Sequence, residues 1–170
     1  DGKGSYGHAR FSPNGEKIAC VGHEFTYKMA TLHELFIYDL HTKERTCLSQ
    51  DWDIQLGSGV VGDTRLGESS FGPVWSKDDS KLYIIGIDQG ASALYEVDMN
   101  GDLQPIDKED HHVFGFSYHS ETESFILGIS TPTNPCNFYL LKQGNRTQLT
   151  DSNKTFLDEV ALSEPEAFTF

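Results

Sequence analysis

A unit of about 43 residues recurs along this chain of 170 residues, and the repeat restricts the folds that the sequence can adopt. Each copy opens with an aromatic residue, passes through a polar turn and continues as a short apolar run ending in glycine. These openings occupy residues 11–22, 75–86 and 118–128. A second run, rich in strand-forming residues, follows at 35–40, 94–99 and 138–142. Three copies of one pattern indicate a repeat architecture.

The period and the composition of the unit identify the kind of repeat. Three pairs of equivalent positions are each 43 residues apart: Trp75 and Tyr118, Leu82 and Phe125, Ile106 and Leu149. A unit of this length with four short strands has the size of one propeller blade. The apolar residues do not follow the spacing of helical repeats. We therefore predict an all-β chain, a partial β-propeller of about three four-stranded antiparallel blades; a β-sandwich is the alternative.

The first unit is longer than the others, and the excess defines the blade boundaries. About six extra residues fall within Glu24–Glu34, and about 15 more fall within Ser49–Ser70. Extra length must leave the sheet as a loop at one face, either as a functional loop or as a surface decoration. We place the first blade, with a preceding strand, in 1–50. The long inter-blade loop and the second blade occupy 51–107, and the third blade occupies 108–151.

Turns and aromatic residues give two further expectations. The dipeptides Asn14-Gly15 and Asn100-Gly101 predict type I′ hairpin turns, in which both central residues have positive φ. The repeated aromatic residues are expected in the core, packing blade against blade: Phe11, Trp75 and Tyr118. An aromatic substrate box is the alternative for these three side chains.

Charge and cysteine content bear on partners and location. The net charge is −13, with no basic cluster to offset it, so we expect no binding to nucleic acid. No apolar run approaches the length of a membrane helix, so we expect no membrane contact. The three cysteines, Cys20, Cys47 and Cys136, are odd in number and far apart, which predicts no disulfide framework. A reducing cytoplasm is the simplest location.

The sequence contains no motif of serine hydrolases or of phosphate-binding loops. No serine has glycine at both −2 and +2, as the nucleophile elbow requires. Ser58 lies between Gly57 and Gly59, but Leu56 and Val60 occupy the positions that matter. The Rossmann and Walker spacings are also missing. We therefore assign no catalytic and no cofactor-binding residue to this chain.

Histidine and acidic clusters are the remaining candidates for a metal site. Asp110, His111 and His112, with His119 nearby, have suitable donor atoms, but adjacent histidines on a strand point to opposite faces. We expect a solvated inter-blade loop there, and exposed turns for the acidic runs 78–79 and 107–110. Residues 151–155 resemble the opening of a calcium loop without its glycine and terminal glutamate. We assign no metal ligand.

Four blade segments, one inter-blade stretch and the C-terminal ending carry a family resemblance: 11–15 (Phe-Ser-Pro-Asn-Gly), 35–39, 75–79 (Trp-Ser-Lys-Asp-Asp), 94–98, 51–63 and 149–170. These segments resemble the N-terminal propeller of the prolyl oligopeptidase family of serine peptidases, in particular its acylaminoacyl-peptidase-like bacterial branch. The resemblance spans nearly the whole chain. Single blade motifs are also shared with TolB-like repeats, so the combination with the ending is the specific part.

The resemblance implies a catalytic Ser, Asp and His in an α/β-hydrolase domain beyond Phe170, and none in this chain. The propeller would cap that active site and gate peptide substrates. The expected partners are the C-terminal α/β-hydrolase domain of the same parent chain and the parent's peptide substrates. Residues 152–170 are then an exit strand toward the missing hydrolase domain.

Two alternative functions and one physical consequence remain. The first alternative is a TolB-like propeller scaffold that binds protein partners, and the second is a sugar-active propeller enzyme with paired carboxylates. Three blades cannot close a ring of typically four to eight. We therefore expect self-association through the open blade edges.

Overall fold

The computed structural model describes residues 3–57, 59–60, 72–166 and 168, and the regular secondary structure of these residues is almost entirely β-strand. The first group of strands is β1 Ser5–Phe11, β2 Lys17–His23, β3 Glu34–Asp39 and β4 Arg45–Cys47. The second is β5 Gln55–Leu56, β6 Val74–Trp75, β7 Lys81–Asp88, β8 Ala91–Asp98 and β9 Leu103–Asp107. The third is β10 His112–His119, β11 Ser124–Ser130, β12 Asn137–Lys142 and β13 Asn145–Gln148. A 3-10 turn covers Lys28–Ala30, and helix α1 covers Lys154–Leu157.

Each group forms one antiparallel blade whose strands lie side by side in chain order. In the second blade β5 and β6 share the first position, because both pair with β7. We call the first strand of each blade its inner strand. One parallel pair, His112 with Ser92, links the second and third blades, and Ser92 Oγ donates to the Val113 carbonyl at 3.0 Å. The predicted fold class, a partial β-propeller of three four-stranded blades, is confirmed.

The blades stack face to face through two apolar clusters. The cluster between the first and second blades contains Ala19, Val21, Leu35, Ile37, Leu56, Trp75, Leu82, Ile84, Ala93, Tyr95 and Val97. The cluster between the second and third blades contains Tyr83, Ile85, Leu94, Val113, Phe125, Leu127, Ile129 and Leu141. Side chains alternate along a strand, so β7 supplies residues to both clusters. The second blade is consequently buried on both faces.

The inner strand of the second blade is interrupted by the extra length that the sequence indicated. Leu56 pairs with Gly86, and Val74 pairs with Tyr83. Positions 56 and 74 are 18 residues apart in the sequence, yet their partners on β7, Gly86 and Tyr83, are only three residues apart. The insertion departs from within the inner strand, although the sequence suggested a loop between blades. Most of it, residues 58 and 61–71, lies outside the described residues.

The three repeated aromatic residues have different surroundings, and the prediction for Phe11 was wrong. Trp75 is buried, and its Nε1 donates to the Arg10 carbonyl of the first blade at 3.1 Å. Tyr118 is half-buried, with its ring centroid 4.7 Å from that of Tyr83. Each of these side chains packs on the preceding blade. Phe11 has no preceding blade in this chain and is 66% exposed.

The turns at Asn14-Gly15, between β1 and β2, and at Asn100-Gly101, between β8 and β9, were predicted as type I′. This was also wrong, because Asn100, like Asn14, does not have positive φ. Gly15 has φ 74°, but Asn14 does not have positive φ. Gly15 N–H donates to the Ser12 carbonyl at 2.8 Å, which describes a tight turn followed by a residue in the left-handed region. Asp79 takes the position of Gly15 in the second blade, with φ 62°. The turn therefore needs positive φ at one residue, and a short polar side chain can supply it.

The repeated serine after the aromatic residue closes each of the first two turns. Ser12 Oγ accepts from Lys17 N–H and Ser76 Oγ accepts from Lys81 N–H, both at 2.9 Å. The two bonds are equivalent in the repeat, and they explain why Phe-Ser and Trp-Ser recur in the sequence.

The chain beyond the third blade contains α1 and, among the described residues from 152 to 166 and at 168, no strand. Residues 167, 169 and 170 lie outside the described part. The exit strand toward a hydrolase domain, like the assignment of domains as a whole, stays a prediction.

The contrast between Trp75 and Phe11 can be measured directly. Trp75→Ala should lower the free energy of unfolding by about 3–5 kcal/mol, since it empties part of the cluster between two blades. Phe11→Ala should change it by less than about 0.5 kcal/mol, because the ring is exposed. Urea unfolding followed by far-UV circular dichroism, at low protein concentration, measures both. Equal losses in the two variants would contradict the described packing.

Candidate functional site

An open cavity of about 360 Å³ lies beside β1, where the first blade faces the start of the second. Its walls come from β1, from β2, from the loop before β3 and from the segment that follows β5. The lining residues are Ser5, Tyr6, Gly7, His8, Val21, His33, Gln55, Leu56, Gly57 and Gly59. None of these ten described residues is Asp, Glu, Lys or Arg. The cavity thus joins an imidazole-rich wall to small and apolar residues.

A bulge in β1 places His8 in the cavity wall. Pairing with β2 is regular from Ser5 to Gly7 and resumes at Arg10, so His8 and Ala9 lie outside the ladder. His8 has φ 55°, in the left-handed region that non-glycine residues rarely adopt. Bulges of this kind re-aim side chains and are frequent beside functional sites.

Gln55 holds the ring of His33 at the opposite wall. Its Nε2 donates to His33 Nδ1 at 2.7 Å, and its Oε1 accepts from the His33 backbone N–H at 3.3 Å. The ring of His23 meets that of His33 edge to face, with centroids 4.9 Å apart. Partial burial, and then the imidazoles of His23 and His8, lower the pKa of His33. His33 is therefore mainly neutral at pH 7.

The insertion of the second blade begins and ends at this cavity. Gly57 and Gly59, at its start, line the cavity. At its end a Cβ added to Gly72 would lie 3.1 Å from His8 Cβ, so Gly72 packs closely on the bulge. The interruption of one inner strand thus lies against the bulge of the other.

Sequence reasoning did not find this cluster. His8, His23 and His33 are 15 and 10 positions apart, in no recognisable ligand spacing. They meet because β1 and β2 pair antiparallel, with Ser5 opposite His23, and because the loop after β2 returns His33 to the same end of the blade. A signal was present in the extra length within Glu24–Glu34, but it did not identify the residues.

The predicted solvated loop at Asp110–His112 is instead partly buried between blades, and that prediction was wrong for His111. The His111 side chain is 3% exposed and that of Asp107 is 8% exposed. Arg146 of β13 donates to Asp107 Oδ1 at 2.9 Å and to Oδ2 at 3.2 Å, and it also pairs with Glu109. Arg146 lowers the pKa of Glu109. The group links the outer strands of the second and third blades, so we call it the inter-blade clasp.

The other candidates have structural surroundings. Asp78 is exposed in its turn, as predicted, and hydrogen bonds from Ser76 and Ser80 lower its pKa to about 2. Asp107 was predicted in an exposed turn and is buried, because β9 ends against β13. His119 contacts Thr122 Oγ1 at 2.9 Å.

The next observations concern metal ligands, disulfides and membrane spans, none of which the sequence predicted. Among the described residues, no three His, Cys, Asp or Glu side chains could hold a metal ion together. The three cysteines, all in the described part, are free. The described residues include no helix with the length and hydropathy that a membrane crossing requires. Ser58 lies outside the described residues.

Comparisons with known proteins find a peptidase relative and structures of the same fold. The chain is 34% identical over 148 residues to the uncharacterized peptidase YuxL of Bacillus subtilis (strain 168), which is 86% of this chain and 22% of that protein. An acylaminoacyl peptidase solved with Z-Gly-Gly-Phe-chloromethyl ketone matches with a TM-score of 0.68 and 24% identity, over 94% of this chain and 22% of that one. The β-propeller domain of the Trilobed protease from Pyrococcus furiosus matches with a TM-score of 0.60 and 24% identity, over 89% and 40%. No protein-family model matches the chain.

These findings define the class of the chain as a portion of a β-propeller. The sequence likeness to a peptidase and the fold likeness to peptidase propellers confirm the resemblance to propeller domains of the prolyl oligopeptidase family. The chain spans only 22% of the curated relative that it matches.

The inter-blade clasp predicts a pH dependence of stability. Burial, and then Arg146, lower the pKa of His111 below its ordinary 6.5, outweighing the carboxylates of Asp107, Glu109 and Asp110. The folded state therefore binds fewer protons, and this contribution is complete above pH 6.5 and is lost as the pH falls toward the folded pKa. His33 and His112 also have lowered pKa values and act in the same direction.

We expect His111→Gln to lose less stability than the unmodified chain between pH 7 and pH 5. Urea midpoints at both pH values measure this, with His41→Gln in an exposed turn as the matched control. Comparing variants removes the general effect of titrating the acidic surface. An identical pH dependence in His111→Gln would contradict the prediction.

Proposed function

We propose that this chain is the non-catalytic propeller portion of a serine-type, acylaminoacyl-peptidase-like enzyme, and that in the parent protein it caps the active site and gates peptide substrates. The observation that carries the proposal is the 34% identity with a peptidase of which this chain covers 22%. The rest of that relative, which this chain does not cover, is long enough to contain a C-terminal α/β-hydrolase domain. The absence of a nucleophile elbow from the sequence supports a catalytic site outside residues 1–170.

The insertion in the second blade supports the gating part of the proposal. It lies in the sequence between β5 and β6, which share the inner position of the blade, and inner strands surround the central channel of a propeller. We also propose a cytoplasmic location, which the three free cysteines support.

The gating role can be tested by restoring a continuous inner strand in the parent protein. Leu56 and Val74 pair with Gly86 and Tyr83, which are separated by two residues of β7. Deleting residues 58–72 leaves two residues, Gly57 and Pro73, between Leu56 and Val74, so that the inner strand can pair continuously with β7. The ratio of kcat/KM for a long peptide to that for an acylated dipeptide should rise several-fold, because access widens. Peptides of roughly 20 residues and a chromogenic dipeptide provide the assay.

Two glycines added to the Gln143–Gly144 turn, at the other face, provide the control and should leave the ratio unchanged. A serine-directed phosphonate should abolish the activity of all versions and should not label the 170-residue chain alone. An unchanged ratio in the deletion variant would contradict gating. Activity that resists the phosphonate would contradict a serine peptidase.

We predict self-association of the isolated chain through the open edges and uncovered faces of its end blades. Phe11 is 66% exposed beside the first blade, and Phe138 is 46% exposed on the third. Sedimentation velocity should show a concentration-dependent dimer or larger species, since large exposed apolar faces favour association. Phe11→Lys combined with Phe138→Lys should shift the chain toward monomer. Phe156→Lys, in α1 and 62% exposed, is the matched control; a monomer at high concentration without any substitution would refute the idea.

A further inference from the structure

The imidazoles of the cavity beside β1 are arranged as hydrogen-bond donors. His33 Nδ1 accepts from Gln55 Nε2 at 2.7 Å, and His23 Nδ1 accepts from the Phe25 backbone N–H at 3.3 Å. A neutral imidazole with an accepting Nδ1 carries its proton on Nε2. The His33 ring, which lines the cavity, therefore carries its proton on Nε2, and the His23 ring packs against it from outside the lining. His8, at the opposite wall, is the second imidazole in the lining.

The charge distribution favours a negatively charged ligand. Asp and Glu account for 26 of the 170 residues, yet none is among the ten described residues that line the cavity. Glu24, the acidic residue bonded to Tyr6, forms an ion pair with Arg45, whose Nη2 lies 2.7 Å from Glu24 Oε1. Tyr6 donates to Glu24 at 3.0 Å and accepts from Arg45 at 2.7 Å, so its hydroxyl is already occupied. Among these ten residues, a carboxylate would meet imidazole and no like charge.

The remaining walls suit the backbone of a short peptide. Val21 and Leu56 are apolar, whereas Gly7, Gly57 and Gly59 present backbone without side chains. β1 pairs with β2 on one side only, so its other edge faces the cavity with backbone groups that an extended peptide can meet. A volume of about 360 Å³ suits a ligand of dipeptide size.

We propose that this cavity binds the C-terminal carboxylate of a short peptide, with the Nε2–H group of His33 as the donor. The choice of a peptide rests on the proposed function, whereas the carboxylate follows from the donors and charges of the cavity. In a gated peptidase such a site would hold small peptides that carry a free C-terminus beside the inner strands.

The test compares N-acetyl-Ala-Phe as the free acid with its C-terminal amide and with acetate. Isothermal titration calorimetry on the 170-residue chain gives the affinities, and ¹⁵N-detected spectra of the histidine rings show which imidazoles respond. The free acid should bind at least about tenfold more tightly than the amide or acetate, and it should shift the His33 and His23 ring signals. His33→Phe keeps an aromatic ring without the donor and should weaken binding of the acid by about tenfold.

His41→Phe, in the exposed turn between β3 and β4, is the matched control and should bind the acid normally. If His33→Phe fails to fold, Gln55→Met tests the same site by releasing the ring of His33. Equal binding of acid and amide, or no binding, would overturn the proposal, and equal binding of acetate would overturn its peptide part. Sensitivity of the parent enzyme to phosphonate is independent of these results, so the failure of one proposal is distinguishable from the failure of the other.

Discussion

Face-to-face packing of apolar strands is the interaction on which the rest of this structure depends. The middle blade is buried on both sides, with Leu82 and Ile84 of β7 facing the first blade and Tyr83 and Ile85 facing the third. Burying each such side chain contributes on the order of 1.5–3 kcal/mol. No end blade has this two-sided cover. On the first blade, the outward Phe36 is covered by Arg45 and Tyr6 of the same blade, with the guanidinium 5.0 Å from its ring centroid.

Because the stability lies in the middle strands, the inner strands are free to depart from regular pairing. β7 and β8 share eight pairs, whereas β5 and β6 contribute two pairs each to the same blade. The second blade therefore tolerates an interruption of its inner strand between Leu56 and Val74. The bulge at His8 is the same kind of departure in the first blade. Where the two meet, the cavity forms, so its histidines are positioned by a scaffold that does not need them for stability.

The repeat predicted the fold because a blade is a local unit whose strands pair in chain order. Spacing alone also indicated extra length within Ser49–Ser70, and the pairings of Leu56 and Val74 with β7 are likewise separated by more sequence than the ladder requires. The spacing could not show that the insertion lies within the inner strand, because the length of a segment does not determine which of its residues pair with β7. The burial of Phe11 was predicted wrongly for a similar reason: it depends on a neighbouring blade, and the presence of that blade depends on the whole propeller. The histidine cluster depends on a bulge and a loop that carry no periodic signal.

The inner and outer strands of the blades differ in the charged residues that they carry. Toward the outer strands, Arg146 lies between Asp107 and Glu109 and links one blade to the next: its Nη1 donates to both oxygens of the buried Asp107 carboxylate, and its Nη2 pairs with Glu109. Removing that cation would leave the Asp107 carboxylate buried without a partner, which is strongly destabilising. At the inner strands none of the ten described residues that line the cavity is acidic, and His33, whose pKa is lowered, lines it together with His8. A chain with a net charge of −13 would otherwise repel an anionic ligand over much of its surface. Keeping acidic residues away from the inner edge therefore makes it a place where a carboxylate can approach.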